Sequence, residues 1–306
     1  MIRIPSFLVM MTLLIITTTK GLSCDVCGCA VGSQQFGILP QFQKHFFGLK
    51  YGYRSFKSIH PPLFANEKEL TSFEKFHTTE LFGRFVLSEK LHVFGFIPFQ
   101  FISKEEERVK VNHDGMGDIS IMAMYAVINQ KKVDNKFTHH LQIGGGIKLP
   151  TGNSHFLTSD DKWIPGIQTG TGTIDYLAAI NYFIRSGNWG SVLESSSRIN
   201  TINTNYDFKY GHRFMNSAKL FYVFANQSFS VMPSGGVSVE SWTSDFHEGS
   251  NVELSGGHSV LLNAGLDYFG SRFTVGLSAS PVIYQNIAKG NLISGARYSA
   301  HFAILF

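Results

Sequence analysis

Residues 91–101 read LHVFGFIPFQF, and every second residue forms an apolar or small row: Leu91, Val93, Gly95, Ile97, Phe99 and Phe101. Successive side chains of a β-strand point to opposite faces, so this period of two predicts a strand with one apolar face and one small or polar face. A second such row is Phe47, Leu49, Tyr51 and Tyr53, and a third is Ile174, Tyr176, Ala178, Ile180, Tyr182 and Ile184.

The alternation continues from residue 46 to the end of the chain and predicts about twelve antiparallel strands. Their predicted ranges are 46–56, 74–88, 90–102, 117–129, 138–149, 171–184, 189–201, 205–225, 229–242, 257–269, 271–285 and 293–306. A strand of roughly 9–11 residues crosses a membrane at a tilt, whereas strands of soluble sandwiches are shorter. Short links alternate with long ones, so the prediction is an all-β, transmembrane antiparallel β-barrel of a Gram-negative outer membrane.

Composition agrees with a membrane barrel. Among 306 residues there are 28 Phe, 11 Tyr and 30 Gly, while charged residues are only 16%. Soluble proteins average about 25% charged residues, so this chain lacks the surface charge expected in water. The formal charge of +4 is small for this length and does not indicate nucleic-acid binding. Mean hydropathy is near zero because the predicted strands have only one apolar face.

The first 45 residues divide into two predicted segments ahead of the barrel domain at 46–306. A basic residue, an apolar run from Phe7 to Ile16 and the small pair Gly21 and Ser23 predict a signal peptide at 1–23. The apolar run is too short to span a bilayer as a helix. Residues 24–45 then form a Cys-bearing periplasmic segment.

Cys24, Cys27 and Cys29 lie together in a CxxCxC pattern, and the chain has no other cysteine. An odd count in an exported protein leaves three readings open: one disulfide with a free thiol, acylation of Cys24, or a metal site. Clustered thiolates suit Cu(I) or Zn(II), and His45 is the candidate fourth ligand. No other cofactor is indicated.

The last strand ends in Phe306, with apolar residues at alternate positions before it. This pattern resembles the signal by which the barrel assembly machinery recognises outer-membrane proteins. The expected partners are therefore that machinery, outer-membrane lipids and a small-molecule solute.

Three motifs in the middle of the chain follow one another in a fixed order: Gly115-Met-Gly117-Asp118, Pro150-Thr151-Gly152, and Gly170-Thr-Gly172-Thr-Ile-Asp175-Tyr176. Together they resemble the outer-membrane transporter family of the meta-pathway phenol-degradation type, whose members are porin-like barrels. The resemblance implies passage of small apolar or aromatic molecules through the outer membrane. Read as local structure, the glycines relieve steric limits at strand entries and Pro150 ends a strand.

Charged residues of both signs fall on the predicted inner face, where they would line the lumen and tune selectivity. The lumen candidates are Lys50, Arg54, Glu80, Arg84, Lys148, Asp175, Glu194, Arg198 and Arg297, together with Asp207, Lys209, Glu240 and Asp267. The predicted function is a passive channel, not an enzyme. Two alternatives remain: a closed structural or metal-handling barrel, and a hydrolase with a rim site built from residues 194–198 and His212.

Overall fold

The computed structural model describes residues 44–60, 69–106, 109–129, 137–226 and 228–306. Within these ranges the chain forms twelve long barrel strands, four of them interrupted once. They are β1 (Phe46–His60), β2 (Leu70–Val86), β3 (Leu91–Glu106), β4 (Val109–Met116 and Ser120–Asn129), β5 (Thr138–Lys148), β6 (Asp175–Ser186), β7 (Trp189–Ile199), β8 (Arg213–Tyr222 and Phe224–Ala225), β9 (Ser230–Trp242), β10 (Gly257–Phe269), β11 (Phe273–Ser280 and Val282–Ile287) and β12 (Leu292–Ser294 and Arg297–Leu305).

Each strand pairs antiparallel with the next, and β12 pairs with β1 from Leu305 opposite Phe46 to Tyr298 opposite Tyr53. The sheet is therefore a closed barrel, and closure removes the unpaired edges that a membrane would not tolerate. The predicted fold class and strand number are confirmed. No helix in the described ranges is long and apolar enough to cross a membrane.

The two ends of the barrel differ. The turn end carries the links after β2, β6 and β10, which span only a few residues, and the chain end at Phe306. The loop end carries the links 149–174, 200–212 and 243–256. There Phe208–Lys209, Phe246–His247 and Ser250–Asn251 form a separate small sheet above the barrel.

Two strands start later than the sequence predicted. Residues 171–174 and 205–212 belong to loop-end links, because β6 begins at Asp175 and β8 at Arg213. Gly172 and Asp207 have positive φ angles of 69° and 44°, which interrupt an extended strand. The predicted lumen positions of Asp207 and Lys209 are wrong, since both lie in or beside the small sheet.

The outer face of the barrel is an apolar belt. Its exposed side chains alternate with inward ones along every strand and include Phe47, Leu49, Leu81, Ile97, Phe99, Ile121, Ile143, Ile180, Leu193, Leu262, Leu277, Phe302 and Ile304. At the turn end, rings contact one another around the rim, as in the pairs Trp189–Tyr222 and Tyr268–Phe273. An apolar belt with an aromatic girdle is the surface expected against lipid.

The inner face is less polar than the sequence predicted. Near the turn end, side chains from β1, β3, β4, β6 and β12 meet in a layer, the turn-end layer, formed by Phe46, Phe94, Phe96, Met122, Met124, Leu177 and Leu305. Near the loop end, a second layer, the loop-end layer, contains Phe56, Phe76, Ile102, Ile167, Ile287 and Leu292, with Trp242 packed against it. Because β6 lies opposite β12 in a twelve-stranded barrel, and β9 opposite β3, both layers reach across the lumen.

Candidate functional site

The three sequence motifs meet at one point inside the barrel, at the base of the 149–174 link. Lys148 on β5 forms salt bridges with Asp118 and, at 2.9 Å, with Asp175 on β6. Asp118 Oδ1 accepts the Gly152 N–H at 2.9 Å, and its Oδ2 accepts the Thr171 N–H at 2.9 Å. We call Asp118, Lys148 and Asp175 the motif network, and it is almost fully buried.

The rest of each motif holds the 149–174 link in place. Gly152 and Gly170 are in backbone contact, so that a Cβ on Gly170 would lie 2.6 Å from the Gly152 carbonyl carbon. Thr151 donates its hydroxyl to the Gly117 carbonyl at 3.1 Å and accepts the Ile119 N–H at 2.8 Å. Gly115 and Pro150 lie beside these contacts, and the Tyr176 side chain points outward.

The link then continues into the lumen. Gln100 on β3 donates to the Thr169 carbonyl at 2.9 Å, and the side chain of Gln168 bonds the backbone of Phe156 on both its N–H and its carbonyl. Ile167, which is 1% exposed, reaches the loop-end layer. The motif network therefore holds a link whose Ile167 packs into the loop-end layer.

A second charged group lies on the other strands at about the same level. Arg198 on β7 is opposite Arg213 on β8, and Arg297 on β12 lies beside Arg54 on β1. Arg54 interacts electrostatically with the other three arginines and with Glu240. Glu240 on β9 accepts from Arg297 across the lumen, with Nη1 and Oε1 2.5 Å apart. We call these five residues the arginine cluster.

A cavity of about 100 Å³ lies inside the lumen against the turn-end layer, which supplies Phe46, Phe94 and Phe96 to its lining. One wall carries the rings of Phe46, Phe82, Phe94 and Phe96. The opposite wall is polar and is lined by Lys219, Ser234, Asn263, Asp267, Thr274, Ser278, Ser280, Ser299 and His301. Asn263 Nδ2 and Thr274 Oγ1 are buried there without a hydrogen-bond partner within the described residues. The cavity can therefore hold a molecule that is part aromatic and part polar.

The remaining predicted lumen residues are distributed around this cavity. Lys50 and Glu80 line it from β1 and β2. Glu194 accepts from Ser217 at 2.9 Å and from Lys219 at 3.2 Å. Arg84 lies nearer the turn end, where its guanidinium donates to the Lys44 carbonyl. The guanidinium carbon lies 4.9 Å from the centre of the Phe46 ring.

Two titratable groups in the loop-end links are shifted by their surroundings. Burial raises the pKa of the Asp245 carboxyl to about 6, even though the Gly211 N–H, at 2.6 Å, and the charge of Arg213 favour its ionised form. Burial, with the nearby Lys209, lowers the pKa of His212.

The structure provides no geometry for the predicted metal site and separates the side chains of the predicted hydrolase site. Cys24, Cys27 and Cys29 lie outside the described residues, and His45 accepts the Val86 N–H and stacks on the ring of Phe306. Among the described residues, no group of three metal-ligating side chains occurs. Ser195 points outward and donates to Asn216, whereas Glu194 points inward, so strand alternation separates the serine from its nearest carboxylate.

Sequence reasoning missed Arg213, Lys219 and the aromatic wall. Arg213 and Lys219 share the odd-numbered face of the predicted strand at 205–225 with Asp207 and Lys209, but only Asp207 and Lys209 were named as lumen residues. Phe94 and Phe96 lie on the face of β3 that the alternation predicted to be small or polar, so their aromatic contribution to the lumen was missed.

A closed antiparallel barrel with an apolar belt, an aromatic girdle and a partly polar lumen defines an outer-membrane β-barrel, and its location is the outer membrane of a Gram-negative bacterium. The family described as "Putative MetA-pathway of phenol degradation" matches residues 64–302, and the chain belongs to this family.

One solved structure has the same fold at low sequence identity, and two others are less similar. An outer membrane channel from Pseudomonas putida F1 superposes with a TM-score of 0.65 at 12% identity, over 90% of this chain and 100% of that chain. A NanC porin gives a TM-score of 0.43 at 10% identity over 84% and 98% of the two chains. A FadL homologue from Pseudomonas aeruginosa gives 0.37 at 10% over 86% and 89%. A search of curated proteins finds no match.

Proposed function

We propose that this barrel is a passive channel that carries small hydrophobic or aromatic molecules across the outer membrane. The observation that carries the proposal is the central cavity, which lies inside the lumen between an aromatic and a polar wall. Two comparisons support the same function. The superposed protein from Pseudomonas putida is named an outer membrane channel, and the family is described by phenol degradation.

The two apolar layers give the proposed passage its character. Each layer spans the lumen, so a hydrated ion meets side chains that offer it no polar partner. An aromatic solute can pass Phe94, Phe96 and Met122 at a small cost in free energy, because these side chains are apolar and the flexible thioether of Met122 adapts its shape. The layers would therefore act as filters that favour apolar solutes over ions. No energy source is required, since diffusion follows the concentration gradient.

The decisive experiment compares two double variants of β3 in planar bilayers. In Phe94→Ala/Phe96→Ala the turn-end layer is thinned, whereas in Phe99→Ala/Phe101→Ala the same chemical change faces lipid. The channel proposal expects small currents in the unmodified protein, larger currents in the first variant and unchanged currents in the second. Folding of both is checked by the mobility shift on heating before electrophoresis.

A closed structural barrel is the second candidate, and the filled ends of the lumen favour it. It expects no current in any of the three proteins and no uptake of aromatic solutes by proteoliposomes. Equal currents in the two double variants would also contradict the channel proposal, because passage would then not run past Phe94 and Phe96. We assign no catalytic role to any residue.

Assembly completes the proposal. Phe306 is 65% exposed at the turn end and its N–H bonds the His45 carbonyl at 3.0 Å, so the terminal ring lies on the outside of the barrel. We expect the barrel assembly machinery to recognise this strand. Removal of Phe306 should lower the amount of folded protein in the outer membrane.

The Cys24–Cys29 metal site remains a prediction, and metal analysis of a triple Cys→Ser variant tests it.

A further inference from the structure

We propose that Lys57 on β1 and Lys75 on β2, which we call the lysine pair, bind a phosphate group of a glycolipid in the outer leaflet of the outer membrane. This inference goes beyond the proposed function, because it concerns the outer surface of the barrel and not the lumen. Three observations carry it: the position of the pair along the strands, the geometry of the two side chains, and the charge around them.

Both lysines point away from the lumen. Each lies between two buried residues on its strand, so strand alternation directs its side chain outward. Lys110 on β4 is the only other Lys or Arg that the described barrel strands direct outward. The outward-facing basic residues of these strands are therefore confined to one sector of the barrel, β1 to β4, at the loop end.

The lysine pair lies just beyond a group of aromatic side chains on the outer surface. Tyr51 Oη and His77 Nδ1 are 2.6 Å apart, and the Tyr53 ring centre lies 5.0 Å from that of His77 and 6.4 Å from that of Tyr298. Lys75 is two residues nearer the loop end than His77, which is about 7 Å along a strand. Aromatic girdles mark the level where hydrocarbon meets headgroups, and the long loops of such barrels are extracellular. The pair therefore lies at the headgroups of the outer leaflet.

The register brings the two ammonium groups within reach of one phosphate. Lys57 is opposite Phe73, and Lys75 is two residues further along β2, so the lysines are diagonal neighbours. Such neighbours are about 7–8 Å apart, a span that two long side chains close around a single anion. Lys57 Nζ lies 6.0 Å from the centre of the Phe73 ring, which is 50% exposed on the lipid-facing surface. The Lys57 stem can thus lie along apolar surface while its charge reaches the headgroups.

The charge around the pair favours an anionic ligand. Neither lysine forms an ion pair with a described residue. The nearest outward-facing carboxylate in the register is that of Glu105, which lies opposite both Phe73 and Lys110 and so offsets the charge of Lys110. Like charges on neighbouring strands are destabilising without a counter-charge. A lipid phosphate supplies that charge at this depth, and lysine binds phosphate as a point charge.

The test is native mass spectrometry of the detergent-purified full-length protein, titrated with lipid A that carries two phosphates and, separately, with dephosphorylated lipid A. We expect the phosphorylated lipid to bind about tenfold more tightly. Lys57→Gln/Lys75→Gln should lose about tenfold in affinity for it and bind the dephosphorylated lipid as before. Lys57→Arg/Lys75→Arg keeps both charges and should retain binding.

The matched control is Lys90→Gln/Lys162→Gln. It also removes two exposed positive charges, one in the turn after β2 and one in the 149–174 link, and should bind as the unmodified protein does. Inorganic phosphate in large excess should not displace the lipid. Equal binding of the two lipids, equal losses in the two Gln variants, or displacement by inorganic phosphate would overturn the inference. The comparison of lipids uses the unmodified protein, so it decides the matter even where a variant fails to fold.

Discussion

Two groups of buried charges lie in the same lumen and are held differently. The motif network is held by many partners: Lys148 contacts two carboxylates, and those carboxylates accept N–H groups from Gly152, Thr171 and Thr201. In the arginine cluster the guanidinium groups lie within electrostatic range of one another and of Glu240. The first arrangement holds the 149–174 link, whereas the second brings like charges together inside the lumen.

The difference between the motif network and the arginine cluster shows two uses of buried charged groups in this barrel. A buried charge is costly unless it is paired and hydrogen-bonded, so the ion pairs and hydrogen bonds of the motif network hold the link in place. Removing a residue from the motif network should therefore change stability, and removing one from the arginine cluster should change the ion selectivity of the lumen.

The largest effect is expected for Lys148→Met. The change leaves Asp118 and Asp175 buried without their cation, and breaking a buried pair in this way costs about 3–5 kcal/mol. Unfolding in denaturant measures the loss. The control is Lys289→Met, because Lys289 is 59% exposed and pairs with Glu253 at 3.7 Å, a surface pair worth about 0–1 kcal/mol. Equal losses in the two variants would show that the network is not an anchor.

A smaller effect concerns pH and the loop end. Burial raises the pKa of Asp245 from 3.8 to about 6, so the folded protein holds this proton more tightly than the unfolded chain does. The stabilisation is fully present below about pH 4 and is lost as the pH rises through about 6. Asp245→Asn should remove this slope and raise the free energy of unfolding at pH 7 by up to about 3 kcal/mol. Identical pH profiles for the two proteins would contradict the prediction.

The backbone contact inside the motif network is tested by Gly170→Ala. The added Cβ would lie 2.6 Å from the Gly152 carbonyl carbon and 2.7 Å from Asp118 Oδ1, and overpacking of this kind costs about 1–3 kcal/mol. Gly145→Ala is the matched control, because its Cβ points toward lipid and meets nothing closer than 3.4 Å. Denaturant unfolding of both variants compares them. A neutral Gly170→Ala would mean that the link is not held tightly.

The smallest effect is expected for Glu240→Gln in the arginine cluster. Loss of one carboxylate should raise the permeability of chloride relative to potassium by about threefold, because charges that line a lumen set its selectivity. The permeability ratio comes from the reversal potential in a salt gradient. An unchanged or lowered ratio would argue that ions do not pass the cluster.

The sequence was sufficient for the fold but not for the site. Rows such as Phe47, Leu49, Tyr51 and Tyr53 directly reflect lipid contact, which is why the strand number and the closed barrel could be predicted. The three motifs were visible as well, but their meeting around Lys148 was not, because it depends on how the 149–174 link folds back into the lumen.

The inner face was predicted least well. Contact with lipid requires apolar residues on the outer face, whereas the lumen accepts apolar and polar residues alike, so the alternation did not show that Phe94 and Phe96 make the inner face aromatic. The sequence placed Asp207 in the lumen because the start of β8 was predicted eight residues too early. Arg213 could be recognised as part of a cluster only from its register with Arg198 in the structure.

The reversal potential of the unmodified protein and of Arg54→Gln/Arg297→Gln, measured in a potassium chloride gradient, tests the central claim most directly. A lumen that conducts past an arginine cluster predicts a potential of the sign set by chloride, shifted toward that of potassium in the double variant. A potential that the variant leaves unchanged, or the absence of current in both proteins, would contradict it.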